Sequence, residues 1–249
     1  MTQLNRREVR ARLAGLLVLA AALLSGCTTE PAWNGEVRQW GAMRQVLGEG
    51  KTEGRVRLGD FAGSKGAYAV GAMARLQGEV TIVDGQVWVA RVAGTGSQCR
   101  LLEASDAEAT LLVAARVPRW TTHRVGADIP ADGVDAFVRT TAAGAGLDVT
   151  RPFPFVVEGR FRSVDAHVVN GMCPMRAEPT SEHAPVRIRL DAVQGTLVGI
   201  HAEGQEGVLT HHGATTHIHV LVPGVRTRMG HVESVELLAG ARILLPALD

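Results

Sequence analysis

The chain has 249 residues, enough for one large domain or two small ones. Hydrophobic residues make up 46% of it and charged residues 20%, so a sizeable core can form. The formal net charge of +1 gives no electrostatic footprint for nucleic acid, and we expect no nucleic-acid partner. Frequent glycine (29 residues) and few aromatic residues (4%) indicate a chain rich in strands and turns.

The first 27 residues have the pattern of an export signal. Four arginines precede an apolar segment, residues 13–24, that is too short to span a bilayer. It ends in LSGC at residues 24–27, which resembles a bacterial lipobox, so we predict lipidation at Cys27. The alternative is a plain signal peptide with an incidental cysteine. We expect residues 28–33 to be a tether, and the protein to be an exported cell-envelope lipoprotein bound to the membrane by its lipid anchor.

Two further cysteines, Cys99 and Cys173, follow the signal. In an oxidising compartment they form either one disulfide or two thiols, and their sequence positions do not separate these alternatives. The sequence has no C-x-x-C motif, which excludes a thiolate zinc site of that type.

The first predicted element is a helix over residues 37–47. Its apolar positions recur at helical spacing and are Val37, Trp40, Met43, Val46 and Leu47. A β-hairpin follows, in which residues 79–83 and 86–90 flank Asp84-Gly85, a pair that favours a two-residue type I′ turn. Because side chains alternate along a strand, Glu79 and Thr81 share one face. A lone carboxylate such as Glu79 at a strand end is commonly solvated.

A strand over residues 111–117 and a helix over 132–143 complete the first half. The glycine-rich residues 144–146 then mark a predicted boundary between an N-terminal domain, 34–145, and a C-terminal domain, 146–249. In the second half, strands are predicted at 153–161, 186–190, 195–200, 217–222, 232–238 and 241–245, with a loop at 171–185. A loosely repeated strand–glycine–strand pattern leaves an internal duplication open. The predicted class is α/β (α+β), with two domains and few helices.

Residues 210–231 hold five of the nine histidines. His217 and His219 lie two apart in an apolar run, so on a strand both imidazoles project from one face. Pro223 and Gly224 end that run, and an antiparallel return brings His231 near the pair. Three converging neutral imidazoles are the ligand set of a catalytic zinc site.

The competing interpretation of this stretch is a solvated histidine-rich loop. His211 and His212 are adjacent and would point to opposite faces of a strand, so they are reserve candidates at the edge of the site. Other catalytic patterns are missing from the sequence: it has no G-x-S-x-G elbow, no Walker A motif and no H-E-x-x-H helix.

Three segments resemble the α-acetolactate decarboxylase family. Residues 68–85, with Gly78-Glu79 and Asp84-Gly85, are similar to its first signature, a hairpin that carries an active-site glutamate. Residues 153–168 resemble the opening of its second domain. Residues 216–232 resemble its metal segment, H-x-H followed by G-H.

The resemblance implies a two-domain α/β fold with mixed β-sheets and, in some members, a homodimer. It implies one Zn²⁺ ion bound by His217, His219 and His231, with Glu79 as the active-site glutamate. The implied reaction converts 2-acetolactate to acetoin and CO₂, so the implied substrate is a small 2-hydroxy-3-keto acid. Zinc would act as a Lewis acid on the substrate oxygens.

Two positions depart from the family pattern. The family's active-site arginine falls at His167, with Arg160 and Arg162 nearby, and its second glutamate finds no match up to Asp249. A protonated His167 would supply part of the missing charge, so His167 joins Glu79 as a candidate catalytic residue. Two functions are therefore carried forward: an exported zinc-dependent decarboxylase, and a catalytically degenerate metal-binding envelope lipoprotein on the same scaffold.

Overall fold

The computed structural model describes residues 30–102, 106–174, 176–178 and 180–248. The predicted signal, the lipidation at Cys27 and the first two residues of the tether, 28 and 29, lie outside these residues. From Pro31 onward the chain forms one compact unit. Within the described ranges, no helix is long and apolar enough to cross a membrane.

The first sheet has seven strands. They are β1 (Val37–Trp40), β2 (Val56–Arg57), β3 (Ala67–Met73), β4 (Glu79–Val83), β5 (Gln86–Ala93), β6 (Gly96–Leu102) and β7 (Glu108–Arg116). Their order is β1-β7-β3-β4-β5-β6, and β2 pairs with β7. Strands β3 and β7 are buried on both faces, as their nearly continuous apolar sequences predict.

The predicted hairpin is confirmed as β4 and β5. Glu79 pairs with Ala90, and the register continues to the turn. Asp84 and Gly85 have φ angles of +48° and +76°, the two left-handed residues that a type I′ turn requires. The hairpin therefore places Glu79 at the far end of β4 from the turn.

The second sheet has six strands. They are β8 (Trp120–Arg124), β9 (Phe153–Val168), β10 (Val186–His201), β11 (Thr216–Val222), β12 (Arg228–Leu237) and β13 (Arg242–Pro246). Their order is β10-β11-β12-β9-β13-β8, and a further pairing of β9 with β10 closes four strands into a ring. The predicted strands 186–190 and 195–200 are thus one continuous strand, β10.

Few helices accompany the sheets. Helix α1 (Val134–Gly144) follows a 3₁₀ turn, Ala131–Gly133, and buries Val134, Val138 and Ala142, which recur at four-residue spacing. Two more 3₁₀ turns span Leu58–Phe61 and Ala74–Leu76, and a π-helical turn spans Arg44–Gly48.

The predicted helix over residues 37–47 is wrong in its first half. Residues 37–40 form β1, which pairs with β7 at the edge of the first sheet. Gly41 then adopts a φ of +71°, and a Cβ there would lie 2.3 Å from the carbonyl oxygen of Thr110. Only glycine suits this close approach, so the chain turns at Gly41, and the helical residues are confined to Arg44–Gly48.

The two sheets contact each other through an apolar cluster. Val70 and Val113 from the first sheet pack with Val198 and Ile200 from β10, and all four are buried. The cross-sheet contacts extend from β4 to β12. The sheet that carries Glu79 is thereby held against the strands that carry the histidines.

The expected α/β class with two sheets and few helices is confirmed. All pairings between the named strands are antiparallel, so "mixed" does not describe their directions. The domain boundary at 145/146 stays a prediction.

Cys99 and Cys173 are half-buried and form no disulfide. Of the two alternatives left open by the sequence, the structure therefore has two free thiols. Burial raises the pKa of Cys99 to about 11.

Candidate metal centre and active site

Three of the predicted site histidines lie in one row across neighbouring strands. His219 on β11 pairs directly with His231 on β12, and His231 pairs on its other side with His167 on β9. His217 lies two residues before His219 on the same face of β11. The ring centroids of His217, His219 and His231 are 5.0 to 5.4 Å apart.

These three histidines fit a metal ion. One nitrogen from each of His217, His219 and His231 lies within 4.8 Å of the others, and all three residues are buried. His217 Nδ1 and His219 Nε2 are buried without a hydrogen-bond partner. Since buried polar atoms are normally paired, these orphaned nitrogens point to a missing ligand. That the three histidines bind a metal stays a prediction.

The environment keeps these imidazoles neutral, which is the form that binds metals. Burial lowers the pKa of His217 to about 3, and neighbouring histidines add to the effect. Burial also lowers the pKa of His219 and of His231 well below the ordinary value. Protons therefore do not compete for these nitrogens near neutral pH.

Glu79 reaches the cluster from the opposite sheet. It is only 3% exposed, its Oε1 accepts a hydrogen bond from the Val169 N–H at 3.1 Å, and its Oε2 lies 3.8 Å from His219 Nε2. Burial raises the pKa of Glu79 to about 8, although the Val169 bond opposes the shift. With both groups neutral, the contact to His219 is not an ion pair. Glu79 is therefore not a solvated carboxylate at a strand end, the alternative that is common for a lone glutamate.

Thr81 also faces the cluster from β4. Its hydroxyl oxygen lies 3.0 Å from His219 Nδ1, the ring nitrogen opposite the orphaned Nε2. Thr81 is two residues from Glu79, so strand alternation places both on the same face of β4. Strand alternation predicts this shared face from the sequence, but no sequence motif marks Thr81 as a functional residue.

His167 lies beside His231, with ring centroids 5.0 Å apart. Its Nδ1 is 3.0 Å from Glu233 Oε1, and Arg187 donates to both oxygens of that carboxylate at 2.9 and 2.8 Å. Burial lowers the pKa of His167 to about 4, even though Glu233 opposes the shift. This environment disfavours the protonated His167 expected from the sequence, so the ring is neutral at neutral pH.

Glu233 could not be placed by strand alternation. It sits at a β-bulge, where the register of β12 against β9 shifts between Val232 and Ser234. Arg162, one of the two arginines considered near the site, is exposed and pairs with Asp128 and Glu236. Arg160 is exposed as well.

The reserve candidates His211 and His212 occupy different surroundings. The His211 ring lies 4.8 Å from that of His231, and burial lowers its pKa. His212 is exposed and lies near Gly207. His211 is therefore at the edge of the cluster, and His212 is outside it.

A cavity of about 30 Å³ lies at the cluster, room for on the order of one or two water molecules. One side is polar and the other apolar. The polar lining is Glu79, His167, His211, His217 and His231, and the apolar lining includes Met43, Leu47, Ala72, Leu76, Leu111 and Val169. A ligand there would contact ionisable groups on one side and a dry surface on the other.

The fold and the site define a class of protein: a two-sheet α/β protein with a buried three-histidine cluster where the sheets meet. The sequence profile of alpha-acetolactate decarboxylase matches residues 39–245. The chain belongs to the alpha-acetolactate decarboxylase family. A search of curated protein sequences found no match.

Several solved structures have a similar fold. Alpha-acetolactate decarboxylase from Bacillus subtilis strain 168 is 18% identical, with a TM-score of 0.66 over 85% of this chain and 86% of that one. The acetolactate decarboxylase of Bacillus subtilis subspecies spizizenii is 17% identical, with a TM-score of 0.64 and the same coverage. A Staphylococcus aureus protein of unknown function, described as similar to alpha-acetolactate decarboxylase, is 16% identical, with a TM-score of 0.63 and 85% of each chain covered. At these identities the likeness shows the fold.

Proposed function

We propose that this protein is a zinc-dependent carboxy-lyase that converts 2-acetolactate, or a similar 2-hydroxy-3-keto acid, to the hydroxyketone and CO₂. One observation carries the proposal. Glu79, from the first sheet, places Oε2 3.8 Å from the unpartnered Nε2 of His219 in the second sheet. An acid thus lies beside three histidines of the kind that hold catalytic zinc.

The metal would be held by His217, His219 and His231. The orphaned nitrogens of His217 and His219, and the neutral rings of all three histidines, suit zinc, which takes imidazole ligands and keeps a position open in catalytic sites. When bound, zinc supplies Lewis-acid stabilisation of negative charge on the substrate oxygens.

The role of Glu79 follows from its protonation. In decarboxylation the bond between the carboxylate and the hydroxyl-bearing carbon breaks and CO₂ leaves. The electron pair of the broken bond stays on the substrate. One proton must then be added to that carbon. Oε1 of Glu79 already accepts the Val169 N–H, so the proton sits on Oε2, on the side of the histidines. Burial raises the pKa of Glu79 to about 8 in the absence of a metal, which favours this protonated form at neutral pH.

His167 would orient the substrate. Because the Glu233 carboxylate accepts from Arg187, the His167 Nδ1–H is the donor in its bond to Glu233. The other ring nitrogen of His167 is then an acceptor, and His167 is one of the residues that line the cavity. The apolar side of the cavity limits water near the reacting carbon.

The test is acetoin formation from racemic 2-acetolactate. We expect the zinc-loaded wild type to form acetoin faster than the spontaneous background, and the zinc-stripped wild type and the His217→Ala/His219→Ala variant to stay at background. Background rates in the fully zinc-loaded wild type would show that acetolactate is not the substrate.

The second candidate is a metal-binding envelope protein without this activity. The observation in its favour is that none of the described residues lining the cavity is an arginine or lysine that could pair with a substrate carboxylate. Zinc binding without acetoin formation would favour it. For either candidate we propose export and membrane anchoring through Cys27, on the strength of the pattern in residues 1–27.

A further inference from the structure

We propose that Thr81 is a positioning residue for the metal: its hydroxyl fixes the imidazole of His219 so that Nε2 faces His217 and His231. This inference rests on the metal site of the proposed function. Thr81 lies on β4 of the first sheet, whereas the three histidines lie on strands of the second sheet.

The contact that carries this inference is the one between Thr81 and His219. Thr81 Oγ1 lies 3.0 Å from His219 Nδ1, and both residues are 0% exposed, so no bulk water competes for the bond. The other ring nitrogen, Nε2, is buried and has no partner. One nitrogen of this ring is therefore held by protein, and the other is free for a ligand.

The protein also sets which nitrogen carries the hydrogen. Thr81 Oγ1 lies at hydrogen-bond distance from Nδ1, and a hydroxyl oxygen can accept the hydrogen of that nitrogen. Because Nε2 has no partner, the donor is Nδ1. Nε2 then presents a lone pair, as a metal-bound imidazole requires.

Among the described residues, the Thr81 hydroxyl has a side-chain hydrogen bond to His219 alone. Thr81 pairs with Val70 on β3 and Trp88 on β5, in a strand position that valine would suit equally well. A Thr81→Val substitution keeps the shape and removes only the polar atom. Partners that orient metal-bound histidines typically contribute about 10–100-fold to metal affinity.

The experiment measures zinc affinity, with the full chain stripped of metal and titrated with zinc against a chelating dye. Wild type is compared with Thr81→Val, with Thr81→Ser, which keeps the hydroxyl, and with Thr110→Val. Thr110 is the matched control: it is also 0% exposed on a strand of the first sheet, but its hydroxyl bonds the Lys51 carbonyl, away from the cluster.

We expect Thr81→Val to bind zinc about 10–100-fold more weakly, Thr81→Ser to stay within a few-fold of wild type, and Thr110→Val to match wild type. Nitrogen-15 NMR should show hydrogen on Nδ1 of His219 in the wild type and a mixture of tautomers in Thr81→Val. Unchanged affinity in Thr81→Val, or an equal loss in Thr110→Val, would overturn the proposal. If wild type binds zinc tightly but forms no acetoin, the proposed reaction fails while the role of Thr81 stands.

Discussion

Glu79 Oε2 lies 3.8 Å from His219 Nε2, although the two residues belong to different sheets. Both side chains are buried, and each is uncharged at neutral pH in the absence of a metal. Two neutral polar groups that face each other across a small cavity gain little by themselves. A cation bound by the three histidines would account for this arrangement.

The first prediction concerns the metal ligands. Wild-type protein should hold about one zinc ion per chain, as a three-histidine site requires. His217→Ala and His219→Ala should each abolish stoichiometric zinc, because each removes one of three buried ligands. His212→Ala is the matched control, since His212 is exposed in the same stretch of sequence. Full zinc in the double variant, measured by elemental analysis, would place the site elsewhere.

The second prediction uses the pKa of Glu79 in the metal-free protein. Unfolded Glu79 ionises above its ordinary pKa of 4.5, whereas folded Glu79 stays protonated to about 8. Between these values the folded state binds the extra proton, so the free energy of unfolding falls as pH rises, by up to about 1.4 kcal/mol per pH unit. A nearby metal cation lowers the pKa of a carboxyl group and would weaken this effect, so the measurement uses metal-free protein.

Urea unfolding of metal-free wild type and Glu79→Gln across this pH range measures the effect. Glu79→Gln cannot ionise, so its stability relative to wild type should increase with pH. The buried histidines contribute equally to both proteins and cancel in the difference. Parallel stability curves would mean that Glu79 is not a buried neutral acid.

The β4–β5 hairpin and the histidine strands were predictable because each is set by local sequence. Asp84-Gly85 supplies the two left-handed residues of the turn, and alternation alone puts His217 and His219 on one face. The false helix shows the limit of periodicity. Val37, Trp40 and Met43 have helical spacing. However, Gly41 lies between Trp40 and Met43, and this glycine is the sequence signal for the turn seen in the structure.

The surroundings of the site depend on long-range packing and were not predictable from local sequence. The burial of Glu79 requires the second sheet to cover the face of β4. The hydrogen bond between His167 and Glu233 depends on a β-bulge in β12, and no residue of that strand predicts the bulge. His167 does not carry the positive charge that was expected from the sequence, because its ring is buried.

The third prediction concerns His167. A neutral ring that orients substrate predicts a smaller rate loss in His167→Ala than in Glu79→Gln. It also predicts that the ratio of wild-type to His167→Ala rates stays constant between pH 5.5 and 8, above the pKa of about 4. A ratio that shrinks as pH rises through about 6.5 would show that the ring is an imidazolium in the substrate complex.

The fourth prediction concerns the N-terminus. The wild-type precursor expressed in bacteria should incorporate labelled palmitate and fractionate with membranes, because residues 24–27 match a lipobox. Cys27→Ser should be unlabelled, while Cys99→Ser, at a half-buried thiol, should label like wild type. An unlabelled wild type would reduce the leader to a plain signal peptide.

The most direct test of the central claim is the acetoin-forming rate of Glu79→Gln at matched zinc occupancy. Glu108→Gln is the control, since Glu108 is an exposed carboxylate on β7 of the same sheet. We predict that Glu79→Gln keeps its zinc and loses about 10²–10⁴-fold in rate, the usual contribution of a positioned acid, whereas Glu108→Gln matches wild type. A zinc-loaded Glu79→Gln variant that forms acetoin at the wild-type rate would contradict the account.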